Sequence, residues 1–336
     1  MKLISVRIED RSETSADSCS FILSPESADQ TLSYQPGQYL SLKIPLTSGP
    51  IFRSYSFSSC PGADEPPRIT VKREPGGRGS NWLCDHLKVG DTLDVLPPAG
   101  DFGPENLSRP LLLIAGGSGI TPILSLMKAA LLHGNPAVSL IYANRDSSQV
   151  IHGSELDDWQ NRYPEQLQIT HWLDEEHGRP TASALARTVQ STEFATACLC
   201  GPAPFMATAR AALLSQGVAP EQILEESFSP TADTKTDPVE SGDAEVKTTL
   251  TVTLNGEEHA VNLTEDQYLL DAMIGQGLNV PSSCRAGNCG TCLCTLTEGS
   301  VILDGNTVLD DDDLEEGWTL ACRARPISGR IRIVFP

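Results

Sequence analysis

Four cysteines near the C-terminus carry the most specific chemistry in this chain. Cys284, Cys289 and Cys292 lie in the loop C-R-A-G-N-C-G-T-C, and Cys322 follows in A-C-R. The spacing C-x4-C-x2-C…C is the plant-type pattern for thiolate ligation of a [2Fe–2S] cluster. Three thiolates from one tight loop, and a fourth from elsewhere, must converge on a two-iron core. Gly287 and Gly290 leave room for the backbone to wrap that core and aim N–H groups at the sulfurs. Asn288 tolerates unusual turn geometry, and Pro281, Ser282 and Ser283 argue against helix before the loop. Cys294 is expected to be a packed free thiol. The alternative metal is zinc, whose sites favour paired short spacings at both ends, whereas the second half here holds one cysteine. A [2Fe–2S] protein moves single electrons, so the rest of the chain should supply them.

The elements around the loop suit a small sheet. T-L-T-V-T-L-N-G-E-E-H-A-V-N-L reads as a β-hairpin turning at Asn255–Gly256. Tyr268 to Ile274 reads as one short helix, and Val301–Leu303 and Ile331–Phe335 as further strands. On its cysteines, the stretch 248–336 resembles the plant-type ferredoxin domain, which implies a β-grasp fold.

The whole chain has 336 residues, enough for two or three domains. No apolar run is long enough to span a bilayer, and the N-terminus M-K-L-I-S-V-R-I-E-D alternates like a strand without a signal-peptide core. Ten cysteines without a paired framework fit a reducing cytoplasm better than a secreted disulfide scaffold. The net charge of −20 argues against nucleic-acid binding. It suits either solubility or an acidic face for a basic partner. The stretch 248–336 alone holds thirteen acids against five bases.

Residues 1–107 alternate in the β period, as in Q-Y-L-S-L-K-I and R-I-T-V-K-R, with Pro and Gly between: the pattern of a small antiparallel barrel. Two segments stand out, R-S-Y-S-F-S-S from Arg53 and G-G-R-G-S-N-W-L from Gly76. In this order they resemble the ferredoxin–NADP reductase superfamily. The resemblance implies a flavin, with Tyr55 stacked on its ring, Ser56 beside its N5 and Arg53 at the pyrophosphate. A flavin does need a flat aromatic face, a cation and a hydrogen bond near its reactive nitrogen. Gly79 and Ser80 lead into a short helix, with Ser80 expected as its cap and its N-terminus facing the same phosphates. P-P-A-G-D-F, Pro97 to Phe102, resembles the version in FAD-containing relatives rather than FMN-containing ones.

From Pro110 the pattern changes. Leu111–Ile114 is a continuous apolar strand running into A-G-G-S-G-I-T-P-I. Thr121 is expected to cap the following helix and Pro122 to open it. A strand, a glycine-rich turn and a helix N-terminus form a phosphate cradle, here with Gly116, Gly117, Ser118, Gly119 and Thr121. The glycines depart from G-x-G-x-x-G; the turn instead resembles the nucleotide domain of the same superfamily. That resemblance implies Cys200, Gly201 and Pro202 near the nicotinamide, and E-E-S-F at the flavin, with Phe228 covering the ring. Arg145 and Asp146 end the next strand. An acid there favours the free ribose of NADH and an arginine the phosphate of NADPH; NADH is the expectation, NADPH the alternative.

The expected organisation is therefore an FAD-binding barrel at 1–107, an α/β parallel-sheet NAD(P)H domain at 108–228, a tether at 229–247 and the ferredoxin domain at 248–336. The tether S-P-T-A-D-T-K-T-D-P-V-E-S-G-D-A-E-V-K has no apolar periodicity. This order resembles the reductase components of multicomponent oxygenases, of the ketosteroid 9α-hydroxylase and phenylacetyl-CoA epoxygenase type. The implied activity is electron transfer from NAD(P)H through FAD and a [2Fe–2S] cluster to a terminal oxygenase of Rieske, diiron or P450 type. Two alternatives stand beside it: reduction of a non-oxygenase acceptor such as hybrid-cluster protein or a cytochrome, and a non-enzymatic redox sensor or zinc-stapled adaptor.

Overall fold

The computed structural model describes residues 3–27, 29–47, 49–190, 192–228, 248–264 and 266–336. The expected tether at 229–247 lies outside them.

The first unit comprises β1 (Ile4–Ser15), β2 (Ser18–Pro25), β3 (Tyr39–Leu46), β4 (Gly49–Ser56), β5 (Arg68–Lys72), α1 (Arg78–His86) and β6 (Thr92–Val95). Its sheet runs β4-β3-β6-β1-β2-β5 and is antiparallel throughout. An isolated Phe57–Ile69 bridge brings the two edges together, closing the barrel. Alternation decides the faces: Leu40, Leu42 and Ile44 point inward and are fully buried, each contributing about 1.5–3 kcal/mol of apolar burial. On β4 the same period places Arg53 and Tyr55 on one face.

The second unit comprises β7 (Leu111–Gly116), α2 (Ile120–Leu132), β8 (Val138–Asn144), α3 (Gly153–Arg162), β9 (Leu167–Leu173), α4 (Asp174–His177), α5 (Ala182–Val189), β10 (Thr196–Cys200), α6 (Ala203–Ser215) and β11 (Ile223–Glu226). Its parallel sheet has the order β11-β10-β7-β8-β9. The order reverses between β7 and β10, so their carboxyl ends open a crevice at the switch point. Helix α2 is buried on every side from Ile120 to Leu131. One face packs on the sheet; the other meets the barrel, where Ser125 Oγ donates to the Ser59 carbonyl at 2.6 Å.

The same face carries a buried ion cluster between the two units. Lys128 is fully enclosed and pairs with Asp64 of the barrel at 2.7 Å and with Glu155. Arg68 of the barrel reaches both Glu155 oxygens, at 2.9 and 2.8 Å. His152 joins at 2.9 Å from Glu155 and 2.9 Å from the Thr70 hydroxyl. The hydrogen bond from His152 and the charges of Arg68 and Lys128 hold the Glu155 carboxyl well below the usual range despite its burial.

The third unit comprises β12 (Thr248–Leu254), β13 (Glu257–Leu263), α7 (Leu269–Gly275), β14 (Leu293–Glu298), β15 (Val301–Leu303), α8 (Asp311–Glu315), β16 (Trp318–Leu320), β17 (Ala324–Pro326) and β18 (Arg330–Val334). The hairpin turns at Asn255 and Gly256, with φ of 53° and 83°. The main sheet runs β13-β12-β18-β14-β16. Four consecutive aspartates, Asp310 to Asp313, open α8: Asp310 Oδ1 accepts from the Asp313 N–H and Asp313 Oδ2 from the Asp310 N–H. Carboxylates suit that end of the helix dipole. Phe52 and Leu96 of the barrel are buried within this unit's core, so apolar contact docks it on the barrel.

Candidate functional site

The loop between α7 and β14 carries Cys284, Cys289 and Cys292, and the turn between β16 and β17 adds Cys322, giving two pairs. Cys284 and Cys289 share a thiol hydrogen bond, and so do Cys292 and Cys322. Two thiolates per iron is what a [2Fe–2S] centre requires. The Ala286 and Asn288 N–H groups each donate to Cys284 Sγ at 3.4 Å. The hydrogen bond from Cys289, then these N–H groups, lower the Cys284 thiol to about 5 despite burial. Cys322 is lowered likewise by Cys292. The turn needs glycine at 290: its φ is +68°, and a Cβ would press on Phe52 at 3.2 Å. The donor set therefore fits the cluster: paired soft sulfurs, convergent N–H groups and a shielded face. Cys294 lies outside the set, fully buried on β14 against the Thr319 carbonyl.

A cavity of about 1050 Å3 runs from the barrel to the switch point of the parallel sheet. Arg53, Ser54, Tyr55, Ser56 and the 76–80 turn line one end; Gly116, Gly117, Ser118, Thr121, Arg145, Gly201 and Pro202 line the other. Six cations face it (Arg53, Lys72, Arg73, Arg78, Arg145, Arg179) against three acids (Asp17, Glu74, Asp174). In a chain of net charge −20, this local reversal selects for polyanions such as dinucleotide pyrophosphates. The glycines give it room. A Cβ on Gly79 would lie 2.9 Å from Ile44 Cδ1 and 3.0 Å from Arg53 Cγ. One on Gly119 would strike the Cys200 carbonyl oxygen at 2.1 Å. Gly119 thus serves the close approach of cradle and β10, not a phosphate directly.

A second cavity, of about 610 Å3, lies between the barrel and the cysteine loop. It shares Ser54, Ser56 and Phe228 with the first and reaches Tyr39, Glu226, Ser283, Cys284 and Asn288. A flat ring held at Ser54–Ser56 would face the nucleotide cleft on one side and Cys284 on the other. Glu226 lies beside it, with Ser56 Oγ donating to its Oε2 at 3.4 Å. Burial raises the Glu226 carboxyl to about 8, with Asp101 adding to the rise and Ser56 opposing it.

Three family profiles match in this order: "Oxidoreductase FAD-binding domain" over residues 5–103, "Oxidoreductase NAD-binding domain" over 113–211, and "2Fe-2S iron-sulfur cluster binding domain" over 252–326. The chain is 42% identical to the ferredoxin reductase component of 3-ketosteroid-9-alpha-monooxygenase from Rhodococcus rhodochrous, over 96% of this chain and 94% of that one. This chain belongs to the oxygenase ferredoxin reductases. It is an NAD(P)H-dependent oxidoreductase that carries electrons through FAD and a [2Fe–2S] cluster. The reductase is also 32% identical to one component of the 1,2-phenylacetyl-CoA epoxidase of Escherichia coli, over 93% of this chain and 91% of that one. Among solved structures, phthalate dioxygenase reductase matches at a TM-score of 0.62 and 25% identity, covering 99% of this chain and 98% of that one.

The residues anticipated from sequence mostly converge in the reductase, with four local differences. Ser80 is not the cap of α1 but its third residue; Gly77 precedes the helix, and the Ser80 hydroxyl accepts from the Glu74 N–H at 3.1 Å. Thr121 is not the cap of α2 either: a 3-10 turn over Gly117–Gly119 runs straight into the helix, and Thr121 Oγ1 donates to the Ser118 carbonyl at 3.0 Å. Asp146 caps its own turn, accepting from Ser148 N–H at 2.9 Å, and Asp174 faces the cavity instead. The Cys200 thiol is fully buried among α2 and sheet residues, while Gly201 lines the cavity. Sequence reasoning gave no site role to Tyr39, Lys72, Asp174 or Arg179. It marked E-E-S-F without singling out Glu226. Of these, Asp174 carried a readable signal in H-W-L-D-E-E, residues 171–176: an acid at a parallel strand's carboxyl end.

Proposed function

We propose that the reductase takes electrons from NADH and delivers them singly, by transient docking, to the terminal oxygenase of a monooxygenase acting on a steroid-like substrate. The identity to the ketosteroid monooxygenase component, end to end, supports this acceptor over hybrid-cluster protein or a cytochrome. The observation that carries the internal route is the sharing of Ser54, Ser56 and Phe228 by both cavities. Bound FAD supplies the conversion of a two-electron donor into one-electron steps.

The chain's own residues position that chemistry. Tyr55 offers the ring face, Arg53 and the N-terminal turn of α1 hold the FAD pyrophosphate, and Ser56 stands beside the reactive edge. Gly116, Gly117, Ser118 and Thr121 cradle the pyridine-nucleotide phosphates at the start of α2. Gly201 and Pro202, with Cys200 shaping the strand end beneath them, leave space for the nicotinamide. Phe228, exposed beside both cavities, covers the flavin face until the nicotinamide displaces it. Glu226 keeps its proton at neutral pH and so adds no negative charge where electrons accumulate. Asp174 supports NADH: its carboxylate receives the free ribose hydroxyls and repels a 2′-phosphate, while Arg145 and Arg179 serve the nucleotide phosphates. Cys284, Cys289, Cys292 and Cys322 hold the cluster. Ligation demands reduced thiols, which supports a cytoplasmic site of action. Among the described residues no helix is long and apolar enough to cross a membrane.

Anaerobic NADH titration followed in the visible spectrum tests this reading. Bleaching of both flavin and cluster bands is expected, followed by NADH-dependent turnover with a purified ketosteroid-type terminal oxygenase. Flavin bleaching with an unreduced cluster would overturn the internal route. Full reduction without turnover would overturn the acceptor.

A further inference from the structure

We propose that Tyr39 is a positioning residue for interdomain electron transfer: its hydroxyl, fixed in the flavin barrel, donates to the Cys284 sulfur while the ferredoxin domain is docked and makes the docked cluster the better electron acceptor. The inference rests on the electron route just described and deepens it.

Tyr39 is held rigidly. Its N–H donates to the Ala99 carbonyl at 2.9 Å and its carbonyl accepts from the Ala99 N–H at 3.1 Å. It lines the smaller cavity together with Cys284, and Ser54 and Ser56 lie on the same cavity wall. Tyr39 and Cys284 are neighbours in the lining of that cavity. A tyrosine hydroxyl keeps its proton at neutral pH and so can act as a donor.

The origin of this donor matters. The Ala286 and Asn288 N–H groups that also reach Cys284 belong to the cysteine loop and travel with it. Tyr39 belongs to the barrel, and the contact exists only while Phe52 and Leu96 are packed into the ferredoxin core. A hydrogen bond to a ligating sulfur stabilises the extra negative charge of the reduced state and raises the reduction potential. Docking thus favours electron arrival from the flavin side. Undocking removes the bond, lowers the potential and favours electron departure to an acceptor. One electron moves in each step, no bond is made or broken, and the phenol keeps its proton.

The test uses the full-length, FAD- and cluster-loaded protein with Tyr39→Phe, titrated with dithionite and mediator dyes and read by EPR and visible absorption. The expected result is an electron distribution shifted about three- to tenfold away from the cluster, tenfold being about 59 mV for one electron. Leu96→Arg, which breaks docking while keeping Tyr39, should lower the cluster potential by a similar factor. The double variant should add nothing further. An unchanged distribution in Tyr39→Phe overturns the proposal. So does an equal shift from Tyr39→Phe in the docked and Leu96→Arg backgrounds, which would assign the effect to a route other than the docked hydrogen bond. The titration bypasses NADH, so a wild-type cluster that NADH cannot reduce would sink the internal route and still leave the potentials to judge Tyr39.

Discussion

Replacing Glu226 by Gln isolates the buried carboxyl beside Ser56. In the folded protein this group titrates near 8 because burial disfavours its charge, Asp101 adding to the effect; an unfolded glutamate titrates near the ordinary value of about 4.3. Between those values the folded state binds the extra proton, so stability falls as pH rises, at about 1.4 kcal/mol per unit. From pH 6 to 9 the carboxyl crosses about two units of that window, and the loss is about 3 kcal/mol. For a cooperative unit of about 150–250 residues, as the packed barrel and nucleotide domain form, that is about 6–12 °C in Tm. The glutamine side chain has nothing to titrate, keeps the shape and still accepts from Ser56. Thermal melts of FAD-saturated wild type and Glu226→Gln at pH 6, 7.5 and 9 should therefore draw steadily apart as pH rises, with the variant the more stable, and converge only near the unfolded value of about 4.3. Parallel profiles would refute the reasoning: Glu226 would then be ionised at neutral pH, with water or a cation reaching it.

Three further outcomes are expected. Cys289→Ser should abolish the cluster absorbance and EPR signal while NADH-driven ferricyanide reduction at the flavin persists; loss of both would mean the flavin site depends on the cluster loop. Asp174→Asn should raise the NADPH-to-NADH ratio of kcat/KM about tenfold, equivalent to about 1.4 kcal/mol of removed repulsion, and an unchanged ratio would place the ribose elsewhere. Lys128→Met should cost about 3 kcal/mol in urea unfolding. That is the low end for breaking a buried pair, because Asp64 and Glu155 keep 25% and 21% exposure and Arg68 still reaches Glu155. A loss under about 1 kcal/mol, the scale of an exposed pair, would show that the ion cluster does not hold the barrel to the nucleotide domain.

Local chemistry was legible in the sequence wherever function needs particular residue types at short separations. The cysteine loop, the 116–121 cradle, the Arg53–Ser56 strand and the Asn255–Gly256 hairpin each lie within a few residues, so spacing alone expresses the geometry. Sequence also conveyed the order of the three units and the continuous burial of Leu111–Ile114. Helix starts were less legible: Ser80 and Thr121 look like caps, yet the backbone turns before each, because Gly76 and Gly117, at φ of 71° and 53°, allow it.

Tertiary structure alone decided what meets across units. Tyr39 reads as an ordinary barrel residue until the ferredoxin loop lies against it. Lys128 reads as the polar face of a helix until Asp64 and Glu155 enclose it. Asp174, not Asp146, faces the cleft because the Asp146 side chain is spent on its own turn. The proton on Glu226 depends on burial where Ser56 and Asp101 of the barrel come beside β11. Such contacts are set by how folded surfaces pack, and residues far apart in the chain leave no spacing for a sequence pattern to record.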